Sequence, residues 1–321
     1  MTLDDFLSEW NDDAPTVRVK TSGSTGAPKP MDAEKCRMVA SAKITCQFLR
    51  LKHGDSALLC LPLDYIAGKM MVVRALTWGL RLISVEPCAH PLASLAEVPD
   101  FAAVTPMQAW ESMRVPGEKR LFSQIANVII GGGAVDKGLA EILRAMPNAV
   151  WSTYGMTETL SHVALRRLSG PDASDWYTPF EGVDVSLDGR GCLVISAPAV
   201  CAQTLTTNDI AEVTTSPDGS RMFRIVGRAD NVICSGGIKI QAEQVERLLD
   251  GRIDVPYVVT WMPDERLGQA VTLVLEGGDV DLARQACDEL LPRYWRPKHI
   301  VSVNQIPRTE TGKLKRNFLN H

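Results

Sequence analysis

The chain has 321 residues, a formal net charge of −4, and an ordinary globular balance of 45% hydrophobic and 22% charged residues. This length exceeds one ordinary hydrophobic core and predicts two domains. Both signs of charge are spread along the chain, which argues against the basic face of a nucleic-acid-binding protein and the polybasic helix of a membrane-surface protein.

The cysteines and the N-terminal stretch predict a cytoplasmic protein, and the histidines argue against a transition-metal site. The 8 cysteines form no CxxC pair, which is typical of reduced and mostly buried thiols, and the 5 histidines lack the spacing of metal ligands. The acidic start "MTLDDFLSEWNDD" lacks the apolar core of a signal peptide, and no apolar run is long enough to span a bilayer.

Strand and helix patterns alternate from residue 56 onward. The predicted strands cover 56–62, 81–86, 101–105, 126–130 and 149–154, and the predicted helices cover 67–80, a short stretch from Pro106, and the periodic positions Leu139, Ile142, Leu143 and Met146. Such alternation predicts an α/β fold whose mainly parallel sheet is covered by helices.

The pattern changes after about residue 180. Residues 183–196 and 211–227 each read as two strands joined at an Asp-Gly turn, which predicts a small antiparallel subdomain. A further unit of strands and helices begins near Gly227. We therefore predict an N-terminal domain over 1–227 and a small α+β C-terminal domain over 228–321.

The stretch "TSGSTGAPKP", residues 21–30, is rich in glycine and hydroxyl groups and ends near a lysine. Backbone N–H groups in such a loop can form an anion nest, while the hydroxyls and Lys29 add donors and a positive charge. These features favour a polyphosphate-binding loop, although the spacing is not that of a Walker A motif. A flexible linker rich in turn residues is the alternative.

Three other stretches carry polar residues suited to nucleotide chemistry. In "YGMTET", Glu158 follows a predicted strand and has the carboxylate that a magnesium ion prefers; in "TNDIAEV", Asp209 can accept both hydroxyls of a ribose; and "PRTETGKLKR" places Lys313 near the C-terminus. Each has an ordinary structural alternative: a capped polar loop, a turn aspartate and a solvated basic tail.

Taken together and in this order, the motifs resemble those of the adenylate-forming superfamily of acyl-CoA synthetases, adenylation domains and luciferases. The resemblance runs from residue 21 to residue 316 and includes "GRADNVICSGGIKIQAEQVE", which is similar to the hinge of a mobile C-terminal domain. Asn208 stands where the family's ribose motif usually has glycine. Only 20 residues precede the first loop, whereas family members usually carry a long leading region, so we expect that subdomain to be mostly absent and its packing surface to be replaced, for example by a partner chain.

The resemblance implies ATP, Mg²⁺ and coenzyme A as cofactor and co-substrates, and it implies a role for each matching residue. The implied phosphate ligands are Thr21, Ser22, Gly23, Ser24, Thr25, Gly26 and Lys29. The implied adenine and ribose residues are Gly131, Gly132, Gly133, Tyr154, Gly155, Asp209 and Arg228. The remaining implied roles are Lys313 as catalytic cation, Thr157 for phosphate oxygens, Glu158 for the metal, Asp230 as hinge, and Gly236 and Gly237 for the pantetheine arm. The alternative role of Arg228 is a surface ion pair with Asp230. The alternative for Gly236 and Gly237 is that they form an ordinary turn.

The stretch "LPLDYIAGKMMVVRALTWG", 61–79, resembles the acid-pocket segment of o-succinylbenzoate–CoA ligases. Tyr65, Lys69 and Arg74 are the candidate substrate residues. An arginine within an apolar helix is rarely buried without a partner, and a dicarboxylic acid would supply one. A structural ion pair or a snorkelling side chain remains the alternative.

Three functions remain open at this level. The first is an acid–CoA ligase that prefers o-succinylbenzoate, as in menaquinone biosynthesis, or another acyl or aryl acid. The second is a stand-alone adenylation enzyme that loads a carrier protein. The third is a non-catalytic nucleotide-binding relative, although the joint presence of Lys29, Glu158, Asp209 and Lys313 argues against it. The expected partners are small molecules, with no nucleic acid or membrane, and a homo-oligomer is possible.

Overall fold

A computed structural model describes residues 1–20, 30–216, 219–308, 314–316 and 318–319. The chain divides into two compact units. The first unit comprises residues 1–186, 194–205 and 213–223, and the second comprises 187–193, 206–212 and 224–321. The single cut predicted after residue 227 therefore differs from this division, in which two short stretches before residue 213 join the C-terminal part.

Helices and strands alternate through most of the described residues. The α-helices are α1 Leu3–Asn11, α2 Lys35–Phe48, α3 Ile66–Trp78, α4 Pro106–Arg114, α5 Pro116–Phe122, α6 Lys137–Arg144, α7 Ala242–Leu249 and α8 Val280–Leu290. The strands are β1 Thr16–Lys20, β2 Pro30–Glu34, β3 Ser56–Leu59, β4 Arg81–Ser84, β5 Phe101–Val104, β6 Asn127–Ile130, β7 Ala149–Gly155, β8 His162–Arg167, β9 Thr178–Pro179, β10 Asp184–Leu187, β11 Cys192–Ser196, β12 Leu205–Thr215, β13 Arg221–Arg228, β14 Val232–Ser235, β15 Ile238–Gln241, β16 Tyr257–Asp264, β17 Gly268–Glu276 and β18 His299–Val303.

The first unit is built on a seven-stranded sheet of order β4-β3-β5-β6-β7-β8-β9. The strands from β4 to β7 are parallel to their neighbours, while β8 and β9 are antiparallel. This sheet confirms the predicted α/β class with a mainly parallel sheet. Helices cover both faces, which explains why the parallel strands read as continuous apolar runs in the sequence.

Alternate residues of the central strands enter two separate hydrophobic clusters. Ala57 and Leu59 belong to the cluster that includes α2 and α3, while Leu58 and Cys60 belong to the cluster that includes α4 and α6. Successive side chains of a strand point to opposite faces, so each strand contributes to both clusters. The two clusters fix the sheet between its helical layers.

Local sequence signals set the ends of several helices. Helix α4 begins with a capping box in which the Thr105 side chain accepts from the backbone of Gln108, and Pro106 occupies the first turn. Asp136 caps α6 through the Leu139 N–H. Helix α3 ends at Gly79, whose φ of 68° lies in the left-handed region that favours glycine.

The second unit contains a five-stranded sheet of order β15-β14-β17-β16, with β18 pairing parallel to β17. Helices α7 and α8 pack on it through a cluster that includes Val245, Leu249 and Cys287. A separate four-stranded sheet has the order β10-β11-β12-β13, as the two predicted Asp-Gly strand pairs suggest. Within the described part of the chain, no helix combines the length and apolar character needed to cross a membrane.

Gly68 allows α3 to pack closely against the segment that precedes it. A Cβ at this position would lie 2.4 Å from the carbonyl oxygen of Pro62 and 2.8 Å from that of Leu61. No real Cβ tolerates such a distance to backbone atoms, so any larger residue must displace the helix. Because α3 carries the candidate substrate residues, Gly68 sets the depth at which they lie.

We predict that Gly68→Ala lowers the free energy of unfolding by about 1–3 kcal/mol, the usual cost of overpacking, despite the better helix propensity of alanine. Gly117 is the matched control, because it also lies in a helix but a Cβ there meets nothing within 4 Å. Gly117→Ala should raise the same free energy by up to about 1 kcal/mol. Urea unfolding followed by circular dichroism measures both, and equal stability of the two variants would contradict the prediction.

Candidate active site

Two predicted motifs lie at one edge of the seven-stranded sheet. Strands β6 and β7 pair in parallel with Ile130 opposite Ser152, so the residues that follow each strand emerge at the same edge. This is the edge where α/β sheets usually bind ligands. The motif residues brought to this edge are Gly131, Gly132, Gly133, Tyr154, Gly155, Thr157 and Glu158.

The "YGMTET" motif presents an aromatic ring, a hydroxyl and a carboxylate. The Tyr154 ring centroid lies 5.0 Å from that of Phe223 and 5.7 Å from that of Tyr177. Thr157 is buried at the start of a short 3₁₀ turn, whereas Glu158 is exposed. This arrangement holds the tyrosine in an aromatic group and leaves the carboxylate open to a ligand.

The donor set fits a magnesium ion that is shared with a nucleotide. Magnesium is usually held by one or two carboxylates together with phosphate oxygens and water, and Glu158 supplies one accessible carboxylate. Among the residues that the structure describes, no three or more His, Cys, Asp or Glu side chains come together as a metal cluster. The remaining ligands of such an ion would therefore be phosphate oxygens and water.

Gly155 permits a tight return of the chain after the motif. A Cβ on Gly155 would lie 2.3 Å from the Ser161 carbonyl oxygen and 2.5 Å from the Cα of His162. Between them, Leu160 adopts a φ of 63°, which is uncommon for a bulky residue and is strained. Glycine and the strained leucine together bring Ser161 and His162 against the end of β7.

Tyr65 and Lys69 lie at the start of α3. Tyr65 is half-buried at the N-cap position. The Lys69 ammonium is buried; it donates to Glu9 Oε2 at 3.2 Å and lies 4.7 Å from the centroid of the Phe6 ring. These contacts match the structural ion pair that the sequence left open for Lys69.

Arg74, one and a half turns further along α3, has no such carboxylate partner among the residues that the structure describes. Its side chain is 2% exposed; Nη2 donates to Ser161 Oγ at 2.6 Å and Nη1 contacts Met71 Sδ at 3.7 Å. The buried Nε–H meets no acceptor among the described residues. Burial lowers the pKa of Arg74 to about 10, so the guanidinium remains charged at neutral pH. A buried charge with these few neutral partners is poorly compensated.

Sequence reasoning missed three residues, Ser161, His162 and Thr45, that are linked to this guanidinium by hydrogen bonds. Ser161 Oγ lies 3.2 Å from His162 Nδ1, and Thr45 Oγ1 on α2 lies 3.2 Å from His162 Nε2. His162 is buried, and burial followed by the charge of Arg74 holds its pKa well below the ordinary value. Thr45 and His162 are 117 positions apart in the chain, so no local pattern could connect them.

The second unit brings the predicted ribose and hinge residues into one charged cluster. Arg228 donates to Asp209 Oδ1 at 3.1 Å and to Asp230 Oδ2 at 2.7 Å. Burial lowers the pKa of Arg228, but the hydrogen bond to Asp230 and the two carboxylate charges outweigh it, so the net shift is upward. Asn208, at the position where glycine is usual, donates its amide to Asp230 Oδ1 at 3.2 Å.

Gly236 and Gly237 form the two-residue turn between β14 and β15, with φ values of 56° and 83°. Both angles lie in the left-handed region, as a type I′ hairpin turn requires. Gly236 also borders a cavity of about 280 Å³. The other residues that line it are Ser235, Ile238, Leu267, Val271, Arg293, Tyr294, Arg296 and Lys298.

The predicted phosphate-loop residues Thr21, Ser22, Gly23, Ser24, Thr25, Gly26 and Lys29, and the predicted catalytic Lys313, lie outside the described residues. Arg316, three positions after Lys313, is held firmly. Its Nη2 donates to Glu246 Oε2 at 2.6 Å, and its Nη1 donates to Val259 O at 3.0 Å and also contacts Glu246. This ion pair fixes the C-terminal segment to α7 and β16.

Known proteins resemble both the sequence and the fold of this chain. A 2-succinylbenzoate–CoA ligase from Bacillus mycoides is 26% identical over 94% of this chain and 69% of its own length. An acyl-CoA synthetase (AMP-forming)/AMP-acid ligase II-like protein from Dyadobacter fermentans has a crystal structure that is 37% identical with a TM-score of 0.66. That similarity covers 97% of this chain and 90% of the crystal structure.

A solved o-succinylbenzoate–CoA synthetase from Bacillus subtilis, in complex with ATP and a magnesium ion, shares the fold with a TM-score of 0.75. It is 21% identical, and the similarity covers 96% of this chain and 70% of that structure. The sequence profile of AMP-binding enzymes matches residues 8–187, more than half of the chain. The chain therefore belongs to the AMP-binding enzyme family.

Proposed function

We propose that this enzyme converts o-succinylbenzoate into its CoA thioester through an acyl-adenylate. The chain is an ATP-dependent, AMP-forming ligase by its family, and the proposal concerns the acid and the acceptor. One observation carries the choice of acid: Arg74 is a buried cation that no carboxylate neutralises among the described residues. A dicarboxylic acid supplies that anion with one carboxylate while the other reacts. The name of the Bacillus mycoides relative agrees with this choice.

The first half-reaction must make a carboxylate reactive. Attack on a carboxylate would have to expel an oxide, whereas transfer of AMP from ATP turns that oxygen into part of a phosphate leaving group. Catalysis of this displacement at the α-phosphorus consists mainly of positioning and charge neutralisation. We assign Lys29 and its loop to the β- and γ-phosphates, Thr157 to phosphate oxygens, and Lys313 to the α-phosphate and the acid oxygen.

The remaining motif residues bind the nucleoside. We assign the adenine to Gly131–Gly133 and Tyr154, and the ribose hydroxyls to Asp209. The 3.1 Å contact between Arg228 and Asp209 supports this role, because it holds the carboxylate in one orientation. A magnesium ion on Glu158 would supply charge neutralisation at the phosphates.

The second half-reaction transfers the acyl group to a thiol. Gly236 has no side chain and borders the 280 Å³ cavity, whose lining carries three cations and the exposed ring of Tyr294. Arg296 and Lys298 are paired with Asp288 and Asp264, so Arg293 is the cation of this lining with no carboxylate partner among the described residues. These features suit the phosphates of CoA, and we propose CoA as the acceptor.

The decisive assay follows AMP and thioester by mass with ATP, CoA and a panel of acids. The panel contains o-succinylbenzoate, benzoate, a medium-chain fatty acid and several amino acids. A thioester from o-succinylbenzoate alone would support the proposal. AMP release with another acid would overturn the substrate, adenylate without CoA thioester would indicate a carrier-protein acceptor, and ATP binding without any AMP would indicate a non-catalytic relative.

We predict that Arg74→Met raises KM for o-succinylbenzoate about ten- to hundredfold, because a charge-assisted hydrogen bond to the second carboxylate is lost. Lys69→Met is the matched control: it removes a buried cation from the same helix, but one that Glu9 already neutralises. It should lower thermal stability with little change in KM. Steady-state kinetics measures KM for o-succinylbenzoate in both variants. If KM were unchanged in both, the assignment of this helix to the acid pocket would be wrong.

We predict that Lys313→Ala slows adenylation by a factor of about 10² or more, because a positioned cation is lost from the site of charge development. Pyrophosphate exchange measures this step. Thioester formation from preformed acyl-adenylate and CoA should fall far less. Equal loss of both half-reactions would show that Lys313 does not act selectively in the first.

We predict that Arg293→Ala raises KM for CoA about two- to fivefold, the range expected for one exposed ion pair. Pyrophosphate exchange, which needs no CoA, should not change. Arg284→Ala is the control, because Arg284 is exposed on α8 and is absent from the cavity lining. If both variants had the same KM for CoA as the unmodified enzyme, the cavity would not be its binding site.

A further inference from the structure

The hydrogen bonds around Arg74 form one continuous chain. In each of these bonds the donor and the acceptor can be assigned. The chain runs from Arg74 Nη2 to Ser161 Oγ at 2.6 Å, from Ser161 to His162 Nδ1 at 3.2 Å, and from His162 Nε2 to Thr45 Oγ1 at 3.2 Å. Thr45 Oγ1 then donates to the carbonyl oxygen of Ser41 at 3.1 Å. These hydrogen bonds connect Arg74 on α3 with Ser161 and His162, which follow β7, and with Thr45 on α2.

The far end of this chain fixes the tautomer of His162. A hydroxyl has one proton, and Thr45 gives its proton to Ser41. Thr45 can therefore only accept from His162, which places a proton on Nε2. The imidazole is neutral because burial and the nearby Arg74 charge lower its pKa well below the ordinary value. Nδ1 of a neutral Nε2–H imidazole carries no proton and must accept.

The tautomer of His162 in turn fixes which groups donate and accept between Ser161 and Arg74. Because Nδ1 accepts, the Ser161 hydroxyl donates to it, and the Ser161 oxygen keeps its lone pairs for Arg74. Ser161 is half-buried, whereas Arg74, His162 and Thr45 are buried, so Ser161 is the most exposed residue of this hydrogen-bond chain. The His162 ring also packs edge-on against Phe180, with the ring centroids 5.4 Å apart.

We propose that His162, as the neutral Nε2–H tautomer held by Thr45, is a positioning residue that orients Ser161 and through it Arg74 toward an acidic group of the substrate. This inference rests on the proposed role of Arg74 in acid recognition. The hydrogen-bond chain uses every proton of its hydroxyls and imidazole internally, and among the described residues the buried Nε–H of Arg74 meets no acceptor. A neutral relay of this kind leaves the positive charge of Arg74 uncompensated and available to a carboxylate.

Thr45→Val tests the relay because it removes the acceptor of Nε2–H at nearly constant shape. We expect KM for o-succinylbenzoate to rise about three- to tenfold, the effect of one neutral hydrogen bond. Thr45→Ser should restore the normal KM. Thr272→Val is the matched control, since Thr272 is also buried and its hydroxyl also donates to a backbone carbonyl, in the second unit.

Two monocarboxylic analogues separate positioning from general damage. 4-Oxo-4-phenylbutanoate and 2-propanoylbenzoate each lack one carboxylate of o-succinylbenzoate. The analogue that the enzyme accepts has no second carboxylate for Arg74, so its KM and the KM for ATP should be the same in Thr45→Val and the unmodified enzyme. An equal rise in KM for diacid and monoacid, or no rise for the diacid, would overturn the proposal.

Nitrogen-15 NMR of the imidazoles tests the relay without any substrate. His162→Gln assigns the signal among the 5 histidines of the chain. We expect the Nε2–H tautomer at neutral pH in the ligand-free protein and its loss or exchange broadening in Thr45→Val. A protonated ring or the Nδ1–H tautomer would overturn the relay. If the unmodified enzyme turned over neither the diacid nor its analogues, the substrate proposal would fail by itself, and the tautomer would still decide the relay.

Discussion

The buried charge of Arg74 is the constraint on which the arrangement of the proposed acid-binding site depends. Removing a guanidinium from water is costly unless an anion or several good acceptors replace the water. The described residues offer one hydroxyl and one thioether sulfur, which is little compensation for five N–H donors. Two glycines make even this arrangement possible: Gly68 lets α3 approach the preceding segment, and Gly155 lets Ser161 reach the end of β7.

Two buried cations on the same helix differ in whether the fold neutralises their charge. Lys69 and Arg74 are both almost completely buried. Lys69 has a carboxylate and an aromatic face, so its charge is matched within the fold. Within the described part of the chain Arg74 has neither, and its planar guanidinium is weakly hydrated and suited to bidentate binding of a carboxylate. We therefore assign a structural role to Lys69 and propose a substrate-binding role for Arg74.

The sequence predicted what local patterns encode. Mostly apolar runs of five to seven residues predicted the parallel strands, because strands buried on both faces carry little polar alternation. The order of the motifs predicted the family, and the segment 61–79 predicted the candidate substrate residues. The pairing of Lys69 with Glu9 and the chain from Thr45 through His162 to Ser161 were not predictable, because they join residues far apart in sequence. Helix α2, which carries Thr45, has no clear amphipathic pattern and was not predicted.

In the second unit, Asn208 departs from the family pattern and makes a hydrogen bond that glycine could not make. Where glycine is usual, Asn208 has an amide that donates to Asp230, and Asp230 also accepts from Arg228. Arg228 in turn is shared with Asp209. The proposed ribose carboxylate and the proposed hinge carboxylate thus compete for one guanidinium, and Asn208 adds a bond on the hinge side alone. A glycine at that position would leave Asp230 with one donor fewer and more dependent on Arg228. In this chain the proposed hinge and the proposed ribose site therefore belong to a single electrostatic cluster, and a backbone change at Asp230 must redistribute the hydrogen bonds of Arg228.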